Sequence, residues 1–92
     1  MRITEFEWDD ENEAHVARRI ALADVEAIPL SRYLSLRNKR AGSGDYKVIG
    51  RDRGGRLITV VLVATDSPTI WRPITAMPAN RHERTLAEGQ GI

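Results

Sequence analysis

Several features are missing from this sequence, and each absence excludes a class of protein. There is no cysteine, which excludes disulfide bonds and cysteine-ligated zinc and is consistent with a reducing compartment. The longest apolar stretch, Leu57–Ala64, is far too short to cross a bilayer. The acidic start has no apolar segment of signal-peptide length. We therefore expect a cytoplasmic protein with no membrane association.

Aromatic residues and potential metal ligands are also scarce. The few aromatic side chains are not gathered on any strand as an RNA-stacking platform would require. His15 and His82 lack a metal-ligand spacing, and the acidic residues 9–13 fit a helix cap better than a cation site. No glycine-rich phosphate loop and no Ser–His–Asp order is present. We expect neither a metal nor a cofactor.

The net charge of +1 hides an uneven distribution along the chain. Residues 1–28 carry three Lys/Arg and eight Asp/Glu, which gives 3 − 8 = −5. Residues 29–92 carry eleven Lys/Arg and five Asp/Glu, which gives 11 − 5 = +6. Two interpretations stay open: an anion-binding surface on the C-terminal part, or two oppositely charged parts that attract each other.

The hydrophobic pattern predicts one α+β domain over residues 1–92, with a small antiparallel sheet, two N-terminal helices and one C-terminal helix. In chain order we expect a strand at 3–8, helices at about 10–19 and 22–28, a short strand at 33–36, a basic loop at 38–45, strands at 46–51, 56–65 and 69–76, and a helix at about 81–88.

Some local signals make sharper predictions. The segment 56–65 is apolar on both faces, which predicts a central strand covered on both sides. Pro73 predicts an edge position or a bulge in the last strand. Asp9 or Asp10 is expected to cap the first helix, with Glu13 three residues after Asp10 as in a capping box. A second capping box is expected at Asn80 with Glu83.

Three stretches, in order, resemble the BrnT toxin family. The first is Phe6-Glu7-Trp8-Asp9 with the helix up to Arg18, and the second is the hairpin Ile49–Val61 with its glycine and arginine residues. The third is Ile70–Ala76 followed by Asn80–Arg84. Together they span nearly the whole chain, and their order and spacing are more specific than any one of them.

The resemblance implies a RelE-like fold and the toxin role in a type II toxin–antitoxin system. Such a toxin cleaves RNA without a metal and thereby inhibits translation. Its partner would be a DNA-binding, BrnA-like antitoxin from an adjacent gene, and DNA would be bound only through the toxin–antitoxin complex.

RNA cleavage through the 2′-hydroxyl needs proton transfer and cations that stabilise the phosphorane. Arginine suits the second task and histidine the first. We predict that Arg72, where the resemblance places a functional arginine, acts with Arg51 and His82 in catalysis. The predicted RNA contacts are Arg18, Arg19, Arg53, Arg56 and Arg81.

Several of these residues, and His15, also have a plain structural interpretation. Arg72 could be a charge that discourages strand pairing, Arg18 and Arg19 could offset the helix dipole, and His15 could pack between helix and sheet.

Departures from the family pattern keep two other functions open. The family's His-Gly after the first helix is missing, Met77 stands where arginine is usual, and Pro73 replaces an apolar residue. A catalytically degenerate module that only pairs with an antitoxin or nucleic acid is one alternative. An unrelated nucleic-acid-binding α+β domain is the other.

Overall fold

A computed structural model describes residues 1–39 and 44–92. The elements in chain order are β1 (Glu5–Phe6), α1 (Asp10–Val16), α2 (Leu22–Ala27), a 3₁₀ turn (Ile28–Leu30), β2 (Leu34–Arg37), β3 (Tyr46–Arg51), β4 (Leu57–Ala64), β5 (Ile70–Pro78) and α3 (Arg81–Gly89). The predicted α+β class is confirmed. Part of the predicted loop at 38–45, residues 40–43, lies outside the described residues.

The five strands form one sheet in the order β1-β5-β4-β3-β2. Strands β2 to β5 form the predicted antiparallel meander. The sheet as a whole is mixed, because β1 lies parallel to β5 and pairs Phe6 with Trp71. Only Glu5 and Phe6 of the first strand join the ladder, and α1 begins four residues later at Asp10.

Strand β4 is central, as its two apolar faces predict. Ile58, Val60 and Leu62 contribute to one core with α1 and α2, whereas Leu57 contributes to a second core on the other face with Ala87 of α3. Burying both faces is what allows an uninterrupted apolar strand. The sheet is therefore covered by α1 and α2 on one side and by α3 on the other.

Helix α1 is shorter than predicted, ending at Val16 instead of near Arg19. The next residues make tighter turns, with Arg19 N–H donating to the Val16 carbonyl. These turns bring Ile20 to 1 % exposure in the core. Burial of Ile20 is worth more than another helical turn whose outward residues are arginines.

The N-cap of α1 differs from the predicted capping box. Asp9, one of the two caps expected, is the N-cap, but its capping-box partner is Asn12 and not Glu13. The Asn12 side-chain oxygen accepts from Asp9 N–H. Asn12 is buried, and its amide nitrogen also donates to the carbonyls of Glu7 and Pro73. One buried amide thus joins β1, α1 and β5. The capping box of Asn80 with Glu83 is confirmed.

Pro73 lies beside a bulge, one of the two settings predicted for it. The pairing of β5 with β4 shifts there, because Thr75 faces Val61 while Pro73 faces Leu62, which leaves Ile74 without an opposite residue. In the described ranges, no helix is long and apolar enough to cross a membrane.

Candidate functional site

A groove of about 730 Å³ lies between α3 and the sheet face that α3 covers. Its floor includes Thr59 and Val61 of β4 and the residues paired with them on β5, Met77 and Thr75. Leu86 of α3 lines it as well. The floor therefore combines apolar side chains with hydroxyl groups, which suits a ligand that is partly polar.

The charged residues among those described that line the groove are mainly cationic. Lys39 and Lys47 line it together with Arg37, and Glu83 is the one carboxylate among its lining residues, which gives 3 − 1 = +2. The guanidinium of Arg37 lies over the Tyr46 ring, 5.8 Å from its centroid. Lys39 has no hydrogen-bond or ion-pair partner within the described chain. An anionic ligand is thus favoured.

Glu83 is buried in the first turn of α3, and each of its carboxylate oxygens has a hydrogen-bond partner. Oε1 accepts from Asn80 N–H and from Thr59 Oγ1, both at 2.9 Å, and Oε2 accepts from Lys47 Nζ at 2.9 Å. Burial raises the pKa of Glu83, but the hydrogen bonds from Asn80, Lys47 and Thr59 outweigh it and lower the pKa below its usual 4.5. Glu83 therefore stays ionised and holds Lys47 at the groove wall.

His82 is the predicted catalytic residue that the structure does place in the groove. It lies in the first turn of α3 next to Glu83, is exposed and lines the groove. A histidine here is accessible to a ligand in the groove. The preceding residue, Arg81, is exposed, and its side chain has no partner among the described residues.

Arg72 does not line the groove. It lies opposite Val63 on β5, and its Nη1 contacts Asp9 Oδ2 at 2.8 Å and Glu7 Oε1 at 3.7 Å. Its hydrogen bond lowers the pKa of Asp9, and Asp9 raises the pKa of Arg72. The guanidinium is therefore engaged with the acidic N-terminal part of the chain, which is not the edge-strand role considered for it.

Arg51 also has internal partners. Its Nη1 donates to the Gly55 carbonyl at 3.0 Å and its Nη2 to the main-chain oxygen of Ile92 at 2.9 Å. Arg51 therefore ties the β3–β4 hairpin to the segment after α3.

The two predicted catalytic arginines stand at opposite ends of the groove floor. Arg51 pairs with Leu57 and Arg72 with Val63, six positions apart along β4. At roughly 3.4 Å per residue this separates their backbones by about 20 Å. By strand alternation both point to the α3 side. They flank the groove but cannot hold the same phosphate.

The predicted RNA contacts fall into two groups. Arg53 binds Asp24 through Nε at 2.7 Å, and Arg56 binds Asp52 through Nε at 3.2 Å. Arg53 lowers the pKa of Asp24 by this hydrogen bond. Arg18 and Arg19 are exposed after α1, and their side chains, like that of Arg81, have no partner within the described residues.

The charge division of the sequence thus has a partly structural explanation. The ion pairs Arg72–Asp9 and Arg53–Asp24 join the basic C-terminal part to the acidic N-terminal part. Surface pairs of this kind contribute little stability each. The unpaired cations remain available for an anionic partner.

Sequence reasoning missed Lys39, Lys47 and Thr75 as groove residues. The alternation of β3 does place Lys47 on the same face as Arg51, which was a usable signal. Nothing local indicated that Lys47 would meet α3, a contact between residues 36 positions apart.

Comparison with known proteins adds no family assignment, because no protein-family model matches the chain and no curated protein matches it. Among the described residues, no group of three or more histidine, aspartate or glutamate side chains could hold a metal ion.

Proposed function

We propose that this chain is the toxin-like component of a bacterial type II toxin–antitoxin pair and that the α3 groove is its RNA-binding site. The resemblance to the BrnT family motivates the system class, a cytoplasmic location and a DNA-binding antitoxin from an adjacent gene. The observation that carries the RNA proposal is the cationic groove, which contains Lys39 and His82.

The groove offers the chemical groups that an RNA backbone needs. Lys39 and Lys47 can contact phosphate oxygens, and the Thr75 hydroxyl on the floor can bond to a ribose hydroxyl. His82 can accept or return the 2′-hydroxyl proton in a metal-independent cleavage. In this proposal Arg51 and Arg72 bind RNA phosphates on either side of the groove. Arg72 would first break its ion pair with Asp9 and then pair with a phosphate.

Met77 links the groove to the resemblance. It lies on the groove floor, at a position where the BrnT family usually has arginine. The family's cation would then project into the same groove, and this chain has an uncharged thioether there instead.

Binding is tested by fluorescence anisotropy with a short labelled single-stranded RNA at several salt concentrations. Lys39→Gln should weaken binding severalfold and reduce the salt slope by about 0.7, the value for one lost phosphate contact on a single strand. Arg2→Gln is the matched control, because the Arg2 side chain is exposed, has no partner among the described residues and does not line the groove. Equal losses in both variants would refute the groove as the site.

A second candidate is a toxin-fold module that binds but does not cleave. It is favoured by the separation of Arg51 from Arg72 and by their internal partners. Expression toxicity and cleavage of total RNA distinguish the two. Growth arrest and cleavage that are lost in His82→Ala, with RNA binding retained, support the nuclease. Normal growth and intact RNA alongside tight RNA or antitoxin binding support the module.

A further inference from the structure

Strand β2 is the outermost strand on its side of the sheet. Asn38 N–H donates to the Asp45 carbonyl at 3.0 Å, and antiparallel ladders alternate, so Leu36 and Leu34 direct their main-chain groups toward β3. Ser35 and Arg37 therefore direct their N–H and C=O groups outward, where no strand in the described ranges pairs with them. Such an edge is a template for another strand.

The same edge has a row of unpaired cations. Arg32, Arg37 and Lys39 are exposed, and none of them binds a carboxylate within residues 1–39 and 44–92. Arg53 and Arg72, by contrast, each bind a carboxylate of this chain. The β2 edge thus combines free main-chain groups with uncompensated positive charge.

An exposed apolar side chain precedes this strand. Leu30 is 85 % exposed at the end of the 3₁₀ turn, four residues before β2. Of the described residues, Met1 is the other large apolar side chain that is exposed. An incoming strand with apolar residues at alternate positions could cover Leu30 while its charged residues meet the arginines.

A second copy of this chain fits the edge poorly. Two β2 edges would bring two identical rows of cations together, which is destabilising. The opposite edge, β1, is acidic at Glu5 and Glu7 but pairs over only two residues. The charge of β1 is complementary to that of β2, but β1 is too short to form a stable ladder with it.

We propose that β2 is a docking edge for an extended acidic segment of a partner protein, which adds to the sheet as a sixth strand. Its main-chain groups bond to Ser35 and Arg37, its carboxylates pair with Arg32, Arg37 and Lys39, and its apolar residues cover Leu30. This inference does not depend on RNA binding in the groove.

The test uses the full chain and a short synthetic peptide in which valine alternates with glutamate. Binding is followed by anisotropy and by amide chemical shifts, with the largest shifts expected at Ser35 and Arg37. Ser35→Pro removes one outward donor without touching the bonds to β3 and is tolerable at an edge. It should weaken peptide binding by about tenfold. Arg32→Gln should weaken it severalfold.

Three controls separate the edge from the groove. A peptide alternating valine with lysine should not bind, Leu86→Ala in the groove should bind the acidic peptide normally, and Ser35→Pro should bind RNA normally. Unchanged peptide affinity in Ser35→Pro overturns the proposal, as do shifts confined to the groove residues of β4, β5 and α3 in the unmodified protein. Concentration-dependent self-association that the peptide does not compete with would make a second copy the occupant and also overturn it.

Discussion

Removing the Glu83 carboxylate should destabilise the protein more than truncating any other side chain on α3. Glu83 accepts three hydrogen bonds, one of them from the charged Lys47. The apolar contribution of α3 to the core is small, with Ala87 its one fully buried apolar side chain. Attachment of α3 therefore depends on this carboxylate.

The expected loss follows from these contacts. Glu83→Ala leaves Thr59 Oγ1 and the Asn80 N–H without their acceptor, at about 1 kcal/mol each, and Lys47 without its counter-ion. Lys47 is 28 % exposed, so water compensates part of that loss. The sum is roughly 3 kcal/mol. In a domain of this size that lowers the melting temperature by roughly 12 °C or more.

The measurement is urea and thermal unfolding followed by circular dichroism. Glu88→Gln is the matched control, because Glu88 is an exposed glutamate on the same helix with no side-chain partner in the described residues. It should change the free energy of unfolding by less than about 0.5 kcal/mol. Thr59→Val should lose about 1 kcal/mol, since it removes one of the three donors. If Glu83→Ala unfolds like Glu88→Gln, the carboxylate does not hold α3.

Three further predictions can be tested with the same protein. Asn12→Ala should cost roughly 2–3 kcal/mol in urea unfolding, because it removes a buried amide that joins Glu7 and Pro73; a loss below half of that would contradict the assigned role. The pKa values of the Glu83, Asp9 and Asp24 carboxyl groups are lower in the folded than in the unfolded protein, so these groups stabilise the fold at a pH above their unfolded-state pKa values. This stabilisation is lost as the pH falls through their folded-state pKa values. The melting temperature should therefore drop below about pH 4.5, and less steeply in Glu83→Gln; parallel curves would exclude Glu83. Met77→Arg should tighten RNA binding severalfold and steepen its salt dependence by about 0.7; unchanged affinity would argue against the groove.

The local sequence predicted correctly those elements whose environment is evident from their own side-chain pattern. The apolar residues on both faces of β4 and the cap formed by Asn80 with Glu83 could each be predicted from neighbouring residues alone. The end of α1 and its cap were predicted less well. Ile20 and Asn12 are held in place by contacts with the sheet, and the neighbouring residues in the sequence do not indicate these contacts.

The candidate site divides in the same way. Residue type and position along the chain identified His82 as a proton-transfer candidate and marked the excess of cations after residue 28. Only the tertiary structure decided which cations remain available. Arg72 and Arg53 meet carboxylates more than 25 positions away, and Lys47 meets Glu83 beside a groove. Charge pairing depends on distance in space, which the sheet register and helix packing set and the order of residues does not.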